Sequence, residues 1–306
     1  MEEYHKAVLL QESVDALVGS ERDGVYVDAT FGGGGHSREI LKNLSPKGRL
    51  IAFDRDEDAL QNKPDDERLV LIHHNFRFVE NFVKAELQEW NDGRTSVNGV
   101  LADLGVSSHQ FDTAERGFSF RFEAPLDMRM NRESGKTARD IVNGYEPEAL
   151  EQIFRLYGEV ENSRKAAQLI ERARKEREIV TTTDLNRALE SITPAVAGHK
   201  YLAKVYQALR IEVNDEMRSL EKMLAGAAAI LATGGRLVII TYHSLEDRMV
   251  KNFFKSGNIA GKVEKDLYGR SKAPLKPLGK MVCPTEAEIG QNTRARSAKM
   301  RVAVKL

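Results

Sequence analysis

Four successive glycines, Gly32–Gly35, join an apolar β-rich run to the start of a helical one, within Asp28-Ala-Thr-Phe-Gly-Gly-Gly-Gly-His36. Glycine admits backbone dihedrals closed to other residues and lets a main chain approach a ligand closely. A run of four also costs backbone entropy on folding, so it argues for a turn that is used. Strand, glycine turn and helix in that order open a parallel α/β sheet, and the N–H groups at the helix start attract negative charge. After Val25–Phe31 come three more β-rich segments, Arg49–Asp54, Leu69–His73 and Val97–Leu104, alternating with helical stretches, and a fifth, Arg236–Tyr242, follows much later. The alternation predicts an α/β fold on a parallel sheet. Lys299–Lys305 is a candidate edge strand.

The gap between the fourth and fifth strands is too long for one crossover helix. Asn214–Thr233 reads as the helix before the fifth strand, ended by Gly234–Gly235. Ahead of it, Leu150, Ile153, Phe154 and Tyr157 make one apolar helix face, and Ala166, Ala167, Leu169, Ile170 and Ala173 a second. Thr181–Asp184 offers N-cap oxygens for a third helix carrying Leu185 and Leu189. The expected organisation is a discontinuous core, 1–111 and 208–306, interrupted by a helical domain over 112–207.

The glycine loop alone does not choose its ligand. Gly32 and Gly34 fit the dinucleotide pattern G-x-G-x-x-G, but its third position is Ser37. Asp54 ends the second strand, where an acid accepts hydrogen bonds from both hydroxyls of a ribose, as in NAD and S-adenosylmethionine alike. Asp28 precedes the glycines by four residues, and Asp103 ends the fourth strand at the carboxyl edge where open α/β sheets bind ligands. Three carboxylates around one glycine loop suit a sulfonium and amino-acid ligand better than two phosphates. S-adenosylmethionine is therefore favoured over NAD. Phe76, after the third strand, is placed to lie against an adenine ring or to serve in the core with Phe78 and Phe82. His73 and His74 are read as non-ligands, being adjacent.

Charge completes the reading. Lys plus Arg and Asp plus Glu are 46 each, yet residues 1–110 hold 12 basic and 20 acidic side chains, whereas residues 251–306 hold 13 and 4. The basic stretch includes GRSKAPLKPLGK and NTRARSAKMR and suits a phosphate backbone. In residues 115–130, arginine is interleaved with three phenylalanines, a composition able to stack on unpaired bases or to form a self-packed loop. Tyr242 and His243 emerge beside Asp103, while Ser244 and Glu246 either join them or simply start a helix. No G-x-S-x-G elbow is present for a serine hydrolase. The lone Cys283 excludes an intramolecular disulfide and a cysteine-based zinc site. No stretch approaches the roughly 18 apolar residues of a membrane helix. The start, MEEYHKAVLL, has acids where a secretory leader needs bases, so a cytoplasmic protein without a membrane partner is expected.

The segments DATFGGGGHS, AFDRD, LADLGVSS, ERGFSF, PLDMRM, YQALRIEVN, YHSLEDR and NTRARS resemble, in order, the signature segments of the MraW/RsmH family of bacterial ribosomal RNA methyltransferases. The resemblance implies a class I S-adenosylmethionine-dependent methyltransferase core, Rossmann-like, with an inserted helical domain for substrate recognition. It implies N4-methylation of a cytidine in small-subunit (16S) ribosomal RNA, cytosine 1402 in the family. The cofactor contacts it carries over are Gly34, Gly35, His36, Asp54, Phe76, Asp103 and Gln110. Small departures are Gly33, His109, Thr293 and Tyr242, the last standing where phenylalanine is usual. DNA amino-methyltransferases carry a Pro-Pro-aromatic turn after the fourth strand, and here Asp103-Leu-Gly-Val stands there. Asp103, or a backbone carbonyl beside it, is thus the expected acceptor of the amine hydrogen, with Tyr242 or His243 against the base. No metal is expected. Two rivals are a nicotinamide-dependent oxidoreductase and a non-catalytic RNA-binding assembly factor. Free RNA or assembled 30S subunit as substrate, and monomer or homodimer as state, stay open.

Overall fold

The computed structural model describes residues 7–133 and 135–306. The acids at 2 and 3, on which the leader expectation rests, lie outside them. In chain order the elements that position the site are α1 (Leu10–Val18), β1 (Val25–Asp28), α2 (Gly35–Asn43), β2 (Arg49–Asp54), α3 (Glu57–Leu60), β3 (Leu69–His73), α4 (Val79–Trp90), β4 (Val97–Asp103), β5 (Leu231–Thr241), β6 (Leu275–Val282) and β7 (Lys299–Lys305). They build a seven-stranded sheet of order β3-β2-β1-β4-β5-β7-β6. The first five strands are parallel, and β7 runs antiparallel to both β5 and β6. This is a Rossmann-like α/β fold.

Side chains on a strand alternate between faces, and both faces of this sheet are covered. Val25, Val27, Ile51, Phe53, Leu237 and Ile239 enter one core, against Val83 and Leu87 of α4. Tyr26, Leu50, Ala52, Val238 and Ile240 enter the other, with Val14 and Leu17 of α1 and Ile40 of α2. Burial on both sides is why these segments read as nearly continuous apolar runs.

Three boundaries differ from expectation. The helix before β5 is Glu216–Ile230, and Gly234–Gly235 lie inside the strand. There Val97 pairs with Leu231 but Gly99 with Arg236, an irregularity that Gly234 absorbs at φ 82°. Lys299–Lys305 is not an edge, because β6 pairs on its far side. The sequence Leu-Lys-Pro-Leu-Gly-Lys-Met-Val of β6 hides a strand, since among the described residues its only strand partner is β7 and an edge tolerates Pro277 and exposed lysines.

The chain divides into two compact units, Met1–Gly105 with Met217–Leu306, and Val106–Glu216. The second has its own core, in which Leu150, Phe154, Ala166, Ile170, Leu185 and Leu209 meet. Its helices begin where the sequence supplies caps: Pro147 opens Pro147–Tyr157, and Thr181 and Asp184 exchange hydrogen bonds ahead of Thr182–Leu189. The arginine- and phenylalanine-bearing stretch is mostly internal to this unit. Arg116 is fully buried and donates to the carbonyls of Arg129 and Met130, and the Asn214 amide accepts from Met130 N and donates to the Met128 carbonyl. Phe118 is buried, Phe120 stacks on Tyr206 and His199, and Phe122 alone of the three rings is exposed. Among the described residues, no helix is long and apolar enough to cross a membrane.

Candidate active site

The order β3-β2-β1-β4-β5 places the change of winding direction between β1 and β4, where a doubly wound sheet opens a crevice at its carboxyl ends. Asp28, Asp54 and Asp103 end β1, β2 and β4 there. They have three different fates.

Asp28 is buried completely, and its oxygens accept from Thr30 N at 3.1 Å and Ser37 Oγ at 2.6 Å. It ties the end of β1 to the first turn of α2. Burial pushes its carboxyl above the ordinary range, against the pull of His36 and these hydrogen bonds. Asp54 accepts from Gly32 N through Oδ2 at 2.7 Å and from Asp56 N through Oδ1 at 2.9 Å. Each oxygen has capacity for a further hydrogen bond. Burial raises it to about 6, outweighing the two N–H donors.

Asp103 keeps part of its carboxylate open, with 21% of the side chain exposed. Its backbone N–H donates to Thr30 Oγ1 at 2.7 Å, and the Tyr242 hydroxyl donates to its Oδ1 at 2.8 Å. Its Oδ2 stands 3.8 Å from His36 Nδ1. His36 itself is fixed by donating from Nε2 to the Val8 carbonyl at 3.1 Å. Burial raises Asp103 to about 6 as well, with Asp28 and Glu246 adding to the rise and His36 and Tyr242 opposing it. Tyr242 is pushed well above its ordinary range by burial and by Asp103, so its phenol stays protonated and donates.

The glycines have distinct reasons. Gly32 and Gly34 take φ 51° and 76°, and a Cβ on Gly34 would stand 2.9 Å from the Phe31 ring. Gly34 precedes α2 without a side-chain cap, so the first N–H groups of that helix are unclaimed by a capping side chain. Gly35 meets Ala7 closely. Phe76 lies half-buried in a short 3-10 turn after β3, packed on the sheet core, while Phe82 belongs to α4.

Two further predicted residues have local roles in their own elements. Gln110 belongs to the second unit, where it and Ser107 close a capping box. His243 caps the helix Ser244–Ser256, its Nδ1 facing Glu246 N and its Nε2 3.1 Å from Glu246 Oε1, with only 9% of the side chain exposed. Glu246 also accepts from Tyr242 N and so fixes the turn carrying the tyrosine. Ser244 and Glu246 thus start a helix, one of the two options left open.

The profile of the MraW methylase family matches residues 2–306. The chain belongs to the MraW methylase family. It is 51% identical to ribosomal RNA small subunit methyltransferase H of Parabacteroides distasonis, over 99% of this chain and 98% of that protein. It is 52% identical to the protein of the same name in Bacteroides thetaiotaomicron, over 99% and 97%. Solved structures that resemble it more distantly include an rRNA methylase from Streptococcus thermophilus, 15% identical with a TM-score of 0.40 over 96% of this chain and 95% of that one. TrmN from Thermus thermophilus is 11% identical with a TM-score of 0.44, over 97% and 48%. In this MraW-family chain the sequence reading missed Thr30, whose N–H holds Asp28 and whose hydroxyl holds the Asp103 backbone. Its place between a strand-end acid and the glycines was the available signal.

Proposed function

We propose that the chain transfers a methyl group from S-adenosylmethionine to the exocyclic N4 of a cytidine in small-subunit (16S) ribosomal RNA, with cytosine 1402 as the expected position. The observation that carries this reading is the Asp103 carboxylate, part-exposed at the β1/β4 crevice and bonded by the Tyr242 hydroxyl, while Thr30 holds its backbone N–H. Family membership and the names of its half-identical relatives supply the substrate class. The cytoplasm is the corresponding location.

The residues present fit the cofactor. Asp54 offers two oxygens to a ribose, and the uncapped start of α2 at Gly34–His36 offers N–H groups to a carboxylate. Phe76 offers a part-buried ring for adenine, and Asp103 a negative charge for a cationic ligand. Ser37, buried and donating to Asp28, occupies the position of the third dinucleotide glycine, which argues against NAD. S-adenosylmethionine supplies a methyl carbon already activated by its sulfonium charge.

The chain's own work is then alignment and proton handling. A cytidine amine is a weak nucleophile because its lone pair is delocalised into the ring. Asp103 accepts a hydrogen bond from that amine, concentrates electron density on nitrogen and takes the proton released when the N–C bond forms as the methyl–sulfur bond breaks, its electron pair remaining on sulfur in a neutral thioether product. A carboxyl raised to about 6 returns that proton to water at neutral pH. Tyr242, locked by its bond to Asp103, presents its ring beside the acceptor. Val106–Glu216 is the substrate-recognition module of this reading, and the target base leaves its stack to be reached.

The test incubates the protein with labelled cofactor and either purified small-subunit RNA or assembled subunits lacking the modification, then maps the methylated base by mass spectrometry. N4-methylcytidine at one position is the expected result. Methylation of another atom overturns the chemistry, and calorimetric binding of NAD in place of S-adenosylmethionine overturns the cofactor.

A further inference from the structure

Residues 262–272, within the basic stretch, are folded into a projecting hairpin. Asp266 N donates to the Arg270 carbonyl and Lys272 N to the Glu264 carbonyl, with a bridge between Lys265 and Ser271. The turn is internally fixed: Gly269 takes φ 79° and donates to the Asp266 carbonyl, and the Asp266 carboxylate accepts from Tyr268 N and Arg270 N. A turn so thoroughly bonded holds its tip in one shape, yet that tip carries Leu267 and Tyr268 at 102% and 86% exposure. Folding gains nothing from displaying two large apolar side chains there.

Charge says what they meet. Lys262, Lys265, Arg270 and Lys272 are all exposed on the hairpin, and Lys276 and Lys280 are exposed on β6, which follows it. Asp266 is spent on the turn. Cations of the neighbouring strand β7 are employed differently, since Arg301 and Lys299 pair with Asp247. An exposed ring flanked by lysine and arginine is the arrangement that stacks on an unpaired base while holding the phosphates on either side.

We propose that the hairpin Glu264–Lys272 is an RNA-contacting finger in which Tyr268 stacks on an unpaired base of the substrate and Lys265, Arg270 and Lys272 hold adjoining phosphates. The proposal rests on the ribosomal RNA reading and adds to it a contact surface remote from the Asp103 crevice in sequence. The finger binds and does no chemistry, so its loss raises KM and leaves kcat unchanged.

The experiment uses the full chain and four forms, unmodified, Tyr268→Ala, Tyr268→Phe, and the triple substitution of Lys265, Arg270 and Lys272 by Gln. Binding is measured on purified small-subunit RNA and on assembled subunits, with S-adenosylmethionine affinity as the control for folding. Tyr268→Ala is expected to weaken binding to both about 10-fold, and Tyr268→Phe to stay within about twofold, since stacking needs the ring and not the hydroxyl. The triple variant is expected to reduce the slope of log affinity against log salt by about 2, at about 0.7 for each phosphate no longer neutralised. Cofactor affinity stays as in the unmodified chain. Unchanged binding by Tyr268→Ala, or equal loss in Tyr268→Phe, overturns the finger while leaving the ribosomal RNA reading intact. Weakening on assembled subunits alone assigns the tip to a ribosomal protein and overturns it too. Failure of the unmodified chain to bind either substrate removes the ribosomal RNA reading itself.

Discussion

The carboxyl end of β1, β2 and β4 and the β6–β7 edge belong to one sheet and handle charge in opposite ways. At the first, three carboxylates are drawn out of water and held by Thr30, Ser37, Tyr242 and backbone N–H groups, and desolvation raises all three. At the second, Lys276 and Lys280 of β6 stand exposed to solvent. Buried charges are specific, because each geometry admits few partners, and they are insensitive to salt. Exposed cations are permissive and strongly screened. A cationic ligand of fixed shape suits the first region and a long polyanion the second.

The sharpest break of that contrast is Asp103→Ala, expected to lower the single-turnover methylation rate about 10³-fold. The Asn variant, with cofactor affinity measured separately, distinguishes the roles. If affinity falls and the bound complex reacts at the normal rate, Asp103 holds cofactor only. Asp54→Asn comes next, with cofactor affinity about 100-fold weaker by calorimetry and RNA binding unchanged. Raising salt from about 50 to 200 mM is expected to weaken RNA binding about 30-fold, while cofactor affinity moves less than about twofold. Equal salt dependence of the two ligands dissolves the contrast.

The smallest effect is in pH. A carboxyl raised to about 6 is ionised above pH 6 and protonated below, so a cationic ligand binds progressively less well as pH falls through 6. Its binding near pH 6 expels protons and near pH 8 expels none, which calorimetry in buffers of different ionisation enthalpy reads directly. Tyr242 donates to the ionised form of Asp103 and lowers its pKa. Tyr242→Phe is therefore expected to move the acid limb of the single-turnover rate upward by about one pH unit. A downward or absent shift sets the bond aside as electrostatically idle.

Much of this was legible beforehand because parallel strands buried on both faces leave no room for polar residues. Arg49–Asp54 and Leu69–His73 have the bounds read from the sequence, and the helix cap at Thr181 is a local signal with a local cause. What escaped depends on partners distant in sequence. β6 reads as a tail because its Lys and Pro are tolerated only by virtue of β7 on one side and solvent on the other. Asp28 and Asp103 look alike as strand-end acids, and Ser37 against Tyr242 separates them, a difference made by which side chain comes to lie above each. His243 looks exposed and reactive in Thr-Tyr-His-Ser until Glu246 folds onto it.

The separate cores of Val106–Glu216 and of the sheet unit bear on how heat dismantles the molecule. A chain with one core melts once, and its midpoint summarises its stability; a chain with two has two enthalpies of melting to account for. A ligand held by Gly34, Asp54 and Asp103 engages the sheet unit, so at one hundred times its dissociation constant it adds about 2.7 kcal/mol to that unit. Calorimetric traces recorded with rising cofactor are then expected to split, one peak climbing while the other stays in place.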